Sequence, residues 1–162
     1  TPAKLNLPDA SDAEFIELYN PGPHPFQLES WTLNERALPA FILLPDQYLI
    51  LSIGKFAEAY EQYGNVITQA SWPTLSNSGG SLVLKDAAGT IVDSMSYSAQ
   101  EVGEGIALER VYVNKPCGIA TNFKLSVGEN GASPGEQNTV FSDLLDVSGP
   151  TLQLAEADAN KC

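Results

Sequence analysis

Period-two alternation of apolar and polar residues, not helical spacing, dominates this chain. In Glu14-Phe15-Ile16-Glu17-Leu18-Tyr19, Ile16 and Leu18 share one face while Phe15, Glu17 and Tyr19 share the other, which predicts a strand. Asn20-Pro21-Gly22-Pro23 ends it, because proline brings no donor to a ladder and Pro-Gly favours a turn. A second strand is predicted over residues 26–33, with Phe26 and Leu28 on the core face and Trp31 beside them. Phe41-Ile42-Leu43-Leu44 and Tyr48-Leu49-Ile50-Leu51 read as buried strand segments on either side of Pro45-Asp46-Gln47. The clearest hairpin joins residues 81–85 to 90–97 through Asp86-Ala87-Ala88-Gly89, where glycine suits a positive φ at the exit. A further strand is predicted over residues 106–113. Only residues 55–63 read as a helix, with Phe56, Tyr60 and Tyr63 on one face and Gly64 in the capping position. Short strands, frequent turns and one short helix predict an all-β sandwich.

The chain has 162 residues, of which 43% are hydrophobic, enough to close a core. Twenty acidic and eight basic side chains give a formal net charge of -12, which argues against nucleic acid, whose phosphates are bound by cations. An anionic membrane surface is disfavoured for the same reason, and no apolar stretch is long enough for membrane insertion. The start at Thr1-Pro2-Ala3-Lys4, without Met or a signal peptide, reads as a trimmed piece of a longer chain. Three segments are expected: an N-terminal extension over residues 1–12, a sandwich over 13–138, and a linker with the first strand of a following module over 139–162. The last rests on Asp146-Val147-Ser148-Gly149-Pro150, followed by the alternating Thr151-Leu152-Gln153-Leu154.

Glu14-Phe15-Ile16-Glu17-Leu18-Tyr19-Asn20-Pro21-Gly22 resembles the opening of the lamin tail domain family. The family's later motifs resemble Leu28-Glu29-Ser30-Trp31-Thr32-Leu33, Leu75-Ser76-Asn77-Ser78-Gly79-Gly80, Ala107-Leu108-Glu109-Arg110 and Ser133-Pro134-Gly135-Glu136-Gln137-Asn138, in the same order. Lys115-Pro116-Cys117 with Asn122-Phe123 is similar to secreted bacterial members. Lys4-Leu5-Asn6-Leu7-Pro8 stands where the family carries its first strand. The resemblance implies an immunoglobulin-like β-sandwich of the lamin-tail type with no chemistry of its own. It implies an interaction or spacer module of a larger secreted or cell-surface protein. A protein partner and a monomer within the larger chain are expected, and a surface glycan or calcium-dependent adhesion is the alternative. Glu17 and Arg110 lie in strands that match two of the family's motifs, and a structural ion pair is expected between them.

The candidate chemistry is thin. The single histidine, His24, lies in the turn Pro23-His24-Pro25, so no serine or cysteine has an evident base. Glu14, Glu17 and Glu109 are the strand carboxylates a glycosidase would need, and structural pairing explains them more simply. No cofactor is expected. Calcium is the alternative, because Asp9, Asp12 and Glu14, with Ser11 among them, crowd oxygen ligands into one segment, and Asp143 and Asp146 are a second cluster. Trp72, followed by Pro73 in a loop, is the aromatic most expected to be exposed and to stack on a sugar. Cys117 and Cys162 allow one disulfide, which would tie the tail to the sandwich and stabilise by ~4 kcal/mol on a chain-entropy argument. Two free thiols are the alternative.

Overall fold

The computed structural model describes residues 14–101, 105–113 and 122–143. Among them, two sheets face each other. The first is built on β1 (Phe15–Tyr19), antiparallel to β6 (Tyr48–Ser52), with β7 (Asn65–Thr68) parallel to β6 on its far side. A parallel pair needs a crossover, and α1 (Gly54–Tyr60) with the 3₁₀ turn Glu61–Tyr63 supplies it. The second sheet has the order β4 (Arg36–Ala37), β3 (Thr32–Leu33), β8 (Gly79–Lys85), β9 (Ile91–Ser98). Two ribbons complete the description: β2 (Phe26–Gln27) with β5 (Ile42–Leu43), and β10 (Leu108–Arg110) with β11 (Phe123–Leu125). The architecture is an immunoglobulin-like β-sandwich with one short helix.

Alternation along β1 and β6 creates two cores, one on each face of their sheet. Ile16 lies opposite Leu51 and Leu18 opposite Leu49, and this face packs on Leu28, Leu33, Leu38, Leu43 and Leu75, with Leu82 and Leu84 from β8. Phe15 and Ile50 emerge on the other face, against Tyr60 and Phe56 of α1 and against Ala107 and Ala132. Leu49, Leu51 and Tyr60 are fully enclosed. Each such apolar side chain contributes roughly 1.5–3 kcal/mol by leaving water.

The polar turns are fixed by side chains that stand in for missing backbone partners. Asn20, fully buried, donates from Nδ2 to the carbonyls of His24 (2.8 Å) and Leu43 (3.1 Å) and accepts from the Gly22 amide (2.9 Å). Asp86 Oδ1 accepts from the amides of Ala88 (2.9 Å) and Thr90 (2.8 Å), and Gly89 takes φ +81°, as its place in the hairpin predicts.

Several expected elements differ. The strand predicted over residues 26–33 is broken in two, because Ser30 adopts φ +65° and the Trp31 amide turns back onto the Leu28 carbonyl at 3.0 Å. Phe26, expected in the core, is 39% exposed. Of the run predicted as buried around Ile42, only Leu43 is enclosed; Ile42 and Leu44 are half open to solvent, because the short β2–β5 ribbon is covered on one side only.

Candidate functional site

A groove of about 1170 Å³ lies between β1 and the β9 and β10 side of the molecule. Phe15–Tyr19 form one wall, Asp93, Met95 and Tyr97 stand on β9, and Glu109, Arg110 and Phe141 are also in the lining. Among the described residues the groove gathers the carboxylates Glu17, Asp46, Asp93 and Glu109 with a single cation, Arg110.

The two glutamates of the groove hold residues 133–140 of the chain itself. Glu109 is only 4% exposed, and among the described residues its charge is balanced by donors, not by a cation. Its Oε1 accepts from Ser133 Oγ (2.9 Å), and its Oε2 from the Thr139 amide (2.7 Å), Thr139 Oγ1 (2.7 Å) and the Val140 amide (3.3 Å). Four donors leave little lone-pair capacity for a substrate. Glu17 Oε2 accepts from the Gly135 amide at 2.6 Å. Burial pushes the Glu17 carboxyl up to about 7, the Gly135 amide opposes that rise, and the Glu109 carboxylate adds to it. Gly135 has φ +76°, and a Cβ there would sit 1.8 Å from the Tyr63 carbonyl oxygen, so the turn is wedged between Tyr63 and Glu17.

The expected Glu17–Arg110 ion pair is not formed. Arg110 pairs instead with Asp93 on β9 and stacks over the Phe123 ring, 4.8 Å from its centroid. The reason is strand parity: neighbouring strand residues point to opposite faces. Glu109 shares the parity of Ala107, which packs on the Phe15 face, and so Glu109 comes near Glu17 while Arg110 turns away.

Trp72 is not the exposed platform expected. It is half-buried against the sandwich core, and its Nε1 donates to Glu14 Oε2 at 3.0 Å. That bond also engages the one described member of the expected calcium cluster. Asp9 and Asp12 lie outside the described residues, as do Cys117 and Cys162. No group of three or more potential ligands is present among the described residues. His24 is exposed in its turn. No described helix is long and apolar enough to cross a membrane.

Sequence reasoning did not identify Asp93, Ser133, Gly135 or Thr139 as partners of these charges. Ser133 and Gly135 were visible as part of a motif. Their function as donors required knowing that the segment folds back across β1.

The sandwich thus defines a class: an immunoglobulin-like domain whose groove carboxylates are engaged by its own backbone and hydroxyls. Residues 5–99 match the model of the Lamin Tail Domain, more than half of the 162 residues, and the chain belongs to that family. The family is an immunoglobulin-like, generally non-catalytic interaction module. No curated protein and no solved structure matches the chain.

Proposed function

We propose that this chain is a non-catalytic, protein-binding module of a longer secreted or cell-surface protein, of the kind found in bacteria. The observation that carries the reading is an open groove with a partly apolar lining whose carboxylates Glu109 and Asp93 are already satisfied internally. A reaction centre needs an uncommitted acid, base or nucleophile. A docking groove needs shape and unsatisfied surface. Secretion is supported by the similarity of Lys115-Pro116-Cys117 and Asn122-Phe123 to secreted members of the family. A glycan-binding role has less support, because Trp72 is half-buried and donates to Glu14.

The immobilised chain should be used to select a displayed peptide library, with a glycan array run in parallel. Recovery of related peptide sequences and a blank glycan array are expected. Glycan hits without peptide enrichment would replace this reading with the carbohydrate-binding one.

A further inference from the structure

The turn that leads into residues 133–140 is tethered at both ends. At its entry the Val127 amide donates to Thr139 Oγ1 at 2.9 Å. Ser126 Oγ lies 3.1 Å from the same oxygen and accepts from the Gly128 amide at 3.2 Å. Thr139 Oγ1 in turn donates to Glu109. The chain then reverses in a turn closed by the Gly131 amide on the Gly128 carbonyl at 3.0 Å, with Glu129 and Asn130 exposed at its tip. Gly131 leaves the turn at φ +72°, and its carbonyl accepts from the Ala107 amide at 2.7 Å. This exit has no slack, because a Cβ on Gly131 would sit 2.5 Å from the Gly105 carbonyl oxygen. Ala132 belongs to the core cluster of Phe15 and Tyr60, and Ser133 donates to Glu109.

Asn130-Gly131 carries chemistry of its own. The Gly131 nitrogen follows the Asn130 side-chain amide at the spacing that closes a succinimide ring, and glycine has no Cβ to obstruct the approach. Every other asparagine in the sequence precedes a residue that has one. The exposed tip admits water and hydroxide. The turn hydrogen bond opposes the reaction by keeping the Gly131 amide proton on Gly128, so the ring closes only while the turn is open.

We propose that Asn130-Gly131 is a self-modification site whose conversion releases residues 133–140 from Glu109. In the open turn the Gly131 amide gives its proton to hydroxide, and its nitrogen bonds to Asn130 Cγ. The Cγ–Nδ2 bond breaks, and the departing group takes a proton from water and leaves as ammonia, which regenerates the hydroxide. Water then opens the succinimide at either carbonyl, so one water is consumed and one ammonia released overall. One direction gives an aspartyl residue at position 130. The other gives an isoaspartyl residue, in which the main chain runs through the former side chain. Both products add a negative charge, but only the second lengthens the backbone, by one carbon–carbon bond of roughly 1.5 Å. Gly131, bonded to Ala107 and pressed on Gly105, has no room for that length. The displacement passes to Ala132 and Ser133 and on to the donors that Glu109 holds.

The test keeps the full chain at mildly alkaline pH and follows it by peptide mass mapping and by methyl transfer from a protein isoaspartate methyltransferase. The peptide that holds Asn130 is expected to convert first among the asparagine-containing peptides and to accept methyl groups. In the converted chain the Thr139 and Val140 amides should exchange faster than in fresh chain by about tenfold or more. Asn130→Asp carries the charge without the extra carbon and should keep both amides protected. Thr139→Val frees the entry of the turn and should speed conversion by about tenfold. Unfolding the parent in urea should speed it at least as much, a comparison that needs no folded variant. Conversion of another asparagine before Asn130, equal rates in folded and unfolded chain, or an unchanged rate in folded Thr139→Val would each overturn the proposal. So would full protection of Thr139 and Val140 after conversion. Equal loss of protection in Asn130→Asp would overturn it as well, because charge alone would then account for the release.

Discussion

At the residue scale, Glu17 shows how a carboxylate is tolerated in an apolar wall without a cation. It sits on the strand face that carries Phe15 and faces Ile50 across the ladder, and among the described residues only the Gly135 amide meets its oxygen directly. A carboxyl whose folded pKa is raised from 4.5 to about 7 binds more protons in the folded than in the unfolded state between those values. Stability is therefore greatest below pH ~4.5 as far as this group is concerned, and it falls as pH rises toward 7 and just above. The loss amounts to about 2–3 kcal/mol after allowance for partial solvent screening. Urea unfolding followed from pH 4.5 to 8 should show this decline, and Glu17→Gln should flatten it while matching or exceeding the parent at pH 8. A variant with the same slope as the parent would show that Glu17 is solvated. None of this was legible from residues 14–19 alone. The sequence places a glutamate on a strand face, but the approach of Ser133-Pro134-Gly135, more than a hundred positions later, is a tertiary event. The expected Arg110 partner failed on parity, a one-residue question that a motif match does not resolve.

At the element scale, the long alternating segments were legible and the two-residue ones were not. The hairpin of β8 and β9 carried its own turn signal in Asp86 and Gly89, and β6 its own apolar run. The β3–β4 hairpin was missed because its turn is Asn34-Glu35, with φ +48° and +61°, and glutamate is an unusual residue there. Asn34 supports it by donating from Nδ2 to the Ser81 carbonyl at 2.8 Å and accepting from the Val83 amide at 2.8 Å. β7 was missed because four residues after a glycine carry little period, and its place beside β6 depends on the α1 crossover. The turn at Gly135 joins these elements, and two glycine variants separate strain from collision. Gly89→Ala, with nothing within 4 Å of the new Cβ, should cost only the ~1–2 kcal/mol of a left-handed alanine. Gly135→Ala adds a clash with the Tyr63 carbonyl and the loss of the Glu17 contact, and should cost about 4 kcal/mol, a fall of roughly 10 °C in melting temperature. Equal melting temperatures for the two variants would contradict the wedge.

At the scale of the whole molecule, the sheet of β1, β6 and β7 is covered on both faces, by the opposing sheet on one side and by α1, Ala107 and Ala132 on the other. The fold class was legible because alternation and turn chemistry agree over most of the chain, whereas the groove depends on which strands become edges and which edges are capped. A chain with a net charge of -12 discourages unspecific contacts with nucleic acid and anionic surfaces. Its recognition then falls to shape and a few placed charges.

The central claim is that the chain's own residues 133–140 engage the groove carboxylates, and the most direct measurement is amide hydrogen exchange, residue by residue, on the free full chain at neutral pH. The Thr139 and Val140 amides, which donate to Glu109, should be protected in the parent and exchange faster by about tenfold or more in Glu109→Ala. Unchanged exchange at both amides in that variant would contradict the account, because it would mean that Glu109 does not hold the segment.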